Sequence, residues 1–141
     1  AAVVGMATAL QENVCNIEGH RQLLLKLEET LIQKLKEYNL DFIQNGNRSH
    51  LPGIVNLSFK GQNGELILHR MDLMGCCIST GSACDSVNNQ ISHVIKAIQV
   101  PKEYAEGTIR ISFGKYNTLN DAADIATMIN SIINVGLQKQ G

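Results

Sequence analysis

Thr108-Ile109-Arg110-Ile111-Ser112-Phe113-Gly114 is the most legible stretch of the chain. Ile109, Ile111 and Phe113 fall on one side of an extended backbone, and Thr108, Arg110 and Ser112 on the other. Side chains alternate at a period of two in a strand, so this is a strand with one apolar face. Such a strand needs neighbours to pair its backbone and a layer to cover its apolar side. Upstream, Ile54-Val55-Asn56-Leu57-Ser58-Phe59 repeats the alternation with Val55, Leu57 and Phe59, and Leu51-Pro52-Gly53 leads into it. Leu40 to Gln44 reads as a shorter strand, followed by a turn-rich loop from Asn45 to His50. Cys76-Cys77-Ile78-Ser79 reads as a short buried strand in which both cysteines pack as small hydrophobes.

The covering layer is helical. Val4, Met6, Ala7, Leu10, Val14, Ile17, Leu24, Leu27, Leu31, Ile32 and Leu35 recur every three or four residues. They predict one long helix over about 2–38, kinked at Gly19. Asn63 is placed to cap a helix carrying Leu66, Ile67, Arg70, Met71 and Met74, and Gly75 to end it. A short helix is expected over about 90–99, closed by Val100-Pro101. A polar connection with Tyr104 turned toward the core then runs from Lys102 to Gly107. Asn117, Thr118, Asn120 and Asp121 announce a last helix through Ala122, Ile125, Met128, Ile129, Ile132 and Ile133. The order of elements predicts an α/β fold: a two-layer sandwich, its small mixed or antiparallel sheet covered by helices on one face. The sandwich occupies about 39–136 behind the leading helix.

At 141 residues the chain can build one real core. A hydrophobic fraction of 44% and a net charge of −1 argue against disorder and against a nucleic-acid surface. No apolar segment reaches membrane-spanning length. Ala1 to Met6 has no basic stretch ahead of it, so it is not a signal peptide; without an initiator Met it reads as cut from a longer chain. Cys15, Cys76, Cys77 and Cys84 contain no C-x-x-C pair, and His20, His50, His69 and His93 show no paired ligand spacing, so no metal site is expected. Reduced thiols in a cytoplasmic setting are the expectation.

The candidate chemistry lies in Ser79-Thr80-Gly81-Ser82-Ala83-Cys84-Asp85-Ser86. Gly81, Ser82 and Ala83 let another molecule approach the backbone, and the hydroxyl and carboxyl groups around them favour turns. A cysteine in such company reads as a thiol presented on a loop, and a thiolate is a strong nucleophile. Arg110 is the natural companion. Its guanidinium forks onto a carboxylate, while the structural alternative is an ordinary surface ion pair. Together they suit a site that anchors a small carboxylate and attacks it with sulfur.

At these residues the chain resembles the cysteine desulfurases of the nitrogenase and iron–sulfur assembly type, in the class V aminotransferase family. The resemblance is carried by Ser79 to Cys84 followed by Ser86, by Ile109 to Thr118, and by Leu51 to Phe59, in the same order and spacing. It implies the small C-terminal domain of a fold-type-I pyridoxal-phosphate transferase, spanning 1–141, with the large cofactor domain absent. It implies Cys84 as catalytic thiol and persulfide carrier, Arg110 as the group binding the carboxylate of L-cysteine, and L-alanine as product. It further implies pyridoxal 5'-phosphate in the parent enzyme and none on this chain. A homodimeric parent and a sulfur-acceptor or iron–sulfur scaffold partner complete the expectation. The family's cofactor-binding lysine, its aspartate against the pyridine nitrogen and its histidine over the ring have no match here, so the chain alone is expected to be inactive. A stand-alone persulfide-carrier or interaction module, and a related selenocysteine lyase or class V aminotransferase domain, are the alternatives.

Overall fold

A computed structural model describes residues 1–47, 49–80 and 92–137. The elements are α1 (Ala2–Cys15), α2 (Ile17–Glu37), β1 (Phe42–Asn45), β2 (Ile54–Phe59), α3 (Gly64–Leu73), α4 (His93–Ala97), α5 (Lys102–Ala105), β3 (Thr108–Ser112) and α6 (Leu119–Leu137). The sheet is antiparallel throughout, in the order β1-β2-β3. Its pairing sets Val55 opposite Ile111 and Leu57 opposite Ile109. The apolar residues of both strands therefore share one face, as their alternation requires.

Helices α2, α3 and α6 cover that face. Leu27, Leu31 and Leu35 lie one turn apart on α2 and are fully buried, as are Ala122 and Ala126 on α6. The alanines leave room for α2 to pack closely on α6. Ile67 and Met71 of α3, with Ile129, Ile132 and Ile133 of α6, close the core over Val55, Leu57, Phe59, Ile109, Ile111 and Phe113. Each large side chain buried this way contributes roughly 1.5–3 kcal/mol.

Capping followed the sequence at two helices. The Asn63 side chain accepts the Leu66 N–H at 3.0 Å. Thr118 and Asp121 cap α6 reciprocally, the Asp121 carboxylate accepting the Thr118 N–H at 2.8 Å and the Thr118 hydroxyl accepting the Asp121 N–H at 3.3 Å. Gly75 takes the left-handed conformation expected of a helix stop, at φ 80°. Gly107 is required for a different reason: a Cβ there would collide with the Phe59 carbonyl where β2 and β3 meet.

The leading helix differs from the expectation. It is two helices, broken at Asn16 (φ −114°, ψ 10°), and Gly19 lies inside the second. The Asn16 side chain turns back to donate to the Glu12 carbonyl at 2.9 Å, which competes with continuation of the helix. No residue of α1 is buried. A salt bridge from Lys115 to Glu12 at 2.7 Å ties this helix to the segment after β3.

Cys76 to Ser79 also departs from the strand reading. Only Ser79 pairs, in an isolated bridge with Arg110. Cys76 packs against the core while Cys77 is exposed, so only one of the two is a packing residue. Lys102 to Gly107 contains the single turn α5, and Tyr104 faces outward to donate to Asp41 at 2.7 Å. The short helix expected over 90–99 is described from its cap, Ser92, and covers His93–Ala97.

Candidate active site

The opposite face of the sheet carries the polar halves of the alternating strands. Four residues form one row across it. Asn45 of β1 stands opposite Asn56 of β2, Asn56 opposite Arg110 of β3, and Arg110 opposite Ser79. Directly opposed residues project to the same side, about 4.5–5.5 Å apart at Cβ. The row is thus carboxamide, carboxamide, guanidinium, hydroxyl.

Ser79 and Arg110 exchange both backbone hydrogen bonds. The Arg110 N–H donates to the Ser79 carbonyl at 2.6 Å, and the Ser79 N–H donates to the Arg110 carbonyl at 3.0 Å. Thr80 follows, buried, its hydroxyl donating to a Glu65 carboxylate oxygen at 2.6 Å. The chain is therefore pinned at two successive residues, Ser79 and Thr80, the second of them four positions ahead of Cys84 in sequence. Gly81, Ser82, Ala83, Cys84, Asp85 and Ser86 lie outside the described residues. Arg110 is exposed, and no ion pair or side-chain hydrogen bond engages its guanidinium among the described residues. The alternative of a surface salt bridge is thereby removed for the described part of the chain.

One end of the polar face is closed and the other open. Ser58 and Thr108 are buried and share a hydrogen bond of 2.7 Å, and Thr108 donates to the Ala105 carbonyl at 2.8 Å. Toward the open end, Gln44, Asn45, Gly46, Asn47, His50, Ile54 and Asn56 line a cleft of about 410 Å³. His50, one of the lining residues, is tethered to α2 by Glu28, a buried carboxylate that sequence reading did not single out. One Glu28 oxygen accepts the Gly53 N–H, and the other meets His50 Nε2 at 2.9 Å. Gly53 suits the position because its φ is +93° and a Cβ would press on the Leu24 side chain.

Among the remaining thiols, burial and then the neighbouring Cys77 raise the pKa of Cys76. Cys15 and Cys77 are exposed and free. No group of three or more His, Cys, Asp or Glu residues suited to a metal occurs among the described residues. No helix among them is long and apolar enough to cross a membrane.

Lys34, Lys60 and Lys115 are committed to carboxylates. Lys26, Lys36, Lys96 and Lys102 are exposed on helices. None of these lysines belongs to the row containing Arg110.

Comparison with known proteins agrees with this architecture. The aminotransferase class-V family model matches residues 1–125, and the chain belongs to that family. It is 37% identical over 134 residues to a cysteine desulfurase IscS of Dictyoglomus turgidum, covering 94% of this chain and 34% of the relative. It is 35% identical over 117 residues to the human cysteine desulfurase, covering 82% of this chain and 25% of the relative. Among solved structures, a NifS-like protein superposes with a TM-score of 0.78 at 26% identity, covering 94% of this chain and 33% of the other. The NifS-like protein from Rickettsia africae gives 0.74 at 28% identity, covering 92% and 33%. The chain thus spans between a quarter and about a third of the length of these relatives.

Asn45 and Asn56 escaped the sequence reading, one as a turn residue and the other as a polar position of a half-buried strand. Alternation shows which face they occupy. It does not show the register that sets them beside Arg110.

Proposed function

We propose that this chain is the sulfur-accepting C-terminal part of a cysteine desulfurase, with Arg110 holding the substrate carboxylate and Cys84 taking the sulfur. The observation that carries the reading is the Ser79–Arg110 bridge. It fixes Ser79, five positions before Cys84, to the backbone of an exposed arginine whose guanidinium has no partner among the described residues. The four steps of chain from Thr80 to Cys84 span at most about 14 Å, which keeps Cys84 within that distance of the bridge. A rigid guanidinium fork selects a carboxylate, which fits an amino acid.

In the proposed reaction the Cys84 thiolate attacks the sulfur of L-cysteine. A sulfur–sulfur bond forms and the substrate carbon–sulfur bond breaks. The electron pair stays with the carbon fragment, which takes a proton and leaves as L-alanine, and Cys84 holds a persulfide. A thiol of an acceptor protein, of the kind that feeds iron–sulfur assembly, then removes the outer sulfur by the same exchange chemistry. The pyridoxal phosphate such a reaction needs belongs, in this reading, to the rest of a longer polypeptide, and the isolated chain is inactive. The parent works as a homodimer in the cytoplasm.

The test is Cys84→Ser in the full-length protein. Alanine release from L-cysteine should stop, while the absorption of bound pyridoxal phosphate should persist. The wild type should gain the mass of one sulfur atom on the peptide containing Cys84. Alanine release by the serine variant, or a sulfur adduct on another cysteine, sinks the assignment.

A further inference from the structure

We propose that Asn56 is a second substrate-binding residue, presenting its side-chain N–H groups beside Arg110 to the carboxylate of the substrate. This rests on the desulfurase reading and adds a residue to its site. The argument starts from the Ala105 carbonyl, which can only accept. Thr108 donates its one hydroxyl proton there at 2.8 Å. Thr108 must then accept from the Ser58 hydroxyl, 2.7 Å away. Ser58 has now used its own proton, so it accepts in turn from Asn45 Nδ2 at 2.7 Å. The second proton of Asn45 Nδ2 goes to Asn56 Oδ1, also at 2.7 Å. Every step is forced by the count of protons available.

The consequence lies at Asn56. Its oxygen is committed inward, which assigns the orientation of the carboxamide. Its Nδ2 keeps both protons, and no acceptor among the described residues takes either. Asn56 stands directly opposite Arg110 on the same face and also lines the cleft of about 410 Å³. Two amide donors and a guanidinium that have no partner among the described residues therefore sit side by side on the open face, a donor set matched to an anionic planar group. Ser58 and Thr108 hold this arrangement from the buried side and act as positioning residues.

The test is Asn56→Asp in the full-length protein. Aspartate keeps the inward oxygen that Asn45 needs, and it replaces the outward donors with a negative oxygen. The KM for L-cysteine should rise by about tenfold or more, with kcat changed by less than about twofold. Equilibrium binding should separate two probes: affinity for L-alanine should fall with the KM, while that for ethylamine, which lacks the carboxylate, should not. If the aspartate variant does not fold, Asn56→Ala carries the same test with a smaller expected rise of about threefold or more. An unchanged KM in a folded variant, or equal losses for both probes, overturns the assignment of Asn56 and leaves the desulfurase reading standing. A full-length wild type that releases no alanine overturns the desulfurase reading, and this assignment with it.

Discussion

Arg110 lies between Asn56 and Ser79 in the sheet, directly opposite both, and trades two backbone hydrogen bonds with Ser79 at 2.6 and 3.0 Å. The residue proposed to bind substrate is thereby fixed on both sides, by a strand of the core sheet and by the segment that leads to Cys84. Its guanidinium is left free of any partner among the described residues. A side chain with no partner among the described residues can be replaced without disturbing the backbone bonds that hold its strand.

Arg110→Ala should therefore act on substrate binding with little effect on folding. Loss of a charge-assisted contact to a carboxylate corresponds to about 1.5–3 kcal/mol, or roughly a 10- to 150-fold rise in KM for L-cysteine in the full-length protein. The thermal midpoint should stay near that of the wild type. An unchanged KM removes Arg110 from the site.

Glu28 has the opposite character. It is buried, and it serves two partners, the Gly53 N–H and His50 Nε2. Glu28→Ala leaves the Gly53 donor without its acceptor and opens space under the strand β2 entry. The expected loss is about 2–4 kcal/mol in urea unfolding. A loss below about 0.5 kcal/mol, the range of neutral surface changes, contradicts a structural role for the pair.

The α6 cap gives the pH dependence its sign. The Thr118 backbone N–H, ahead of the side chains of Asn117 and Thr118, holds the Asp121 carboxyl below its ordinary value of 3.8. A depressed pKa means that the charged form favours the folded state. Its contribution is fully present above the ordinary value and is lost as pH falls through the lower, folded one. In thermal melts, the pH-dependent part of the gap between wild type and Asp121→Asn should be constant at neutral pH and close below about pH 4. A gap that widens on acidification reverses the assigned sign.

Legibility followed how local each cause was. The β3 alternation, the Asn63 cap and the Gly75 stop were readable because each depends on a few neighbouring residues, and the structure has all three. Periodicity predicts a single leading helix because the apolar spacing continues across Asn16, where one side chain returning to the Glu12 carbonyl ends the first helix. Cys76 and Cys77 were given one role because adjacent apolar positions look alike in sequence; in the fold, only Cys76 reaches the core.

The sequence by itself determined the class of fold and the faces of its paired strands, and it nominated Cys84 and Arg110, on which the proposed chemistry rests. Periodicity and side-chain chemistry are local properties, so they survive without coordinates. Tertiary structure alone decided which residues stand beside Arg110. The register that brings Asn45, Asn56, Arg110 and Ser79 into one row joins positions as far apart as 45 and 110. The direction of the hydrogen-bond chain that turns the Asn56 donors outward depends on the Ala105 carbonyl, nearly fifty residues away in sequence. Register is set by the simultaneous burial of Val55, Leu57, Ile109 and Ile111 under α2 and α6, a condition on the whole core that no single stretch contains.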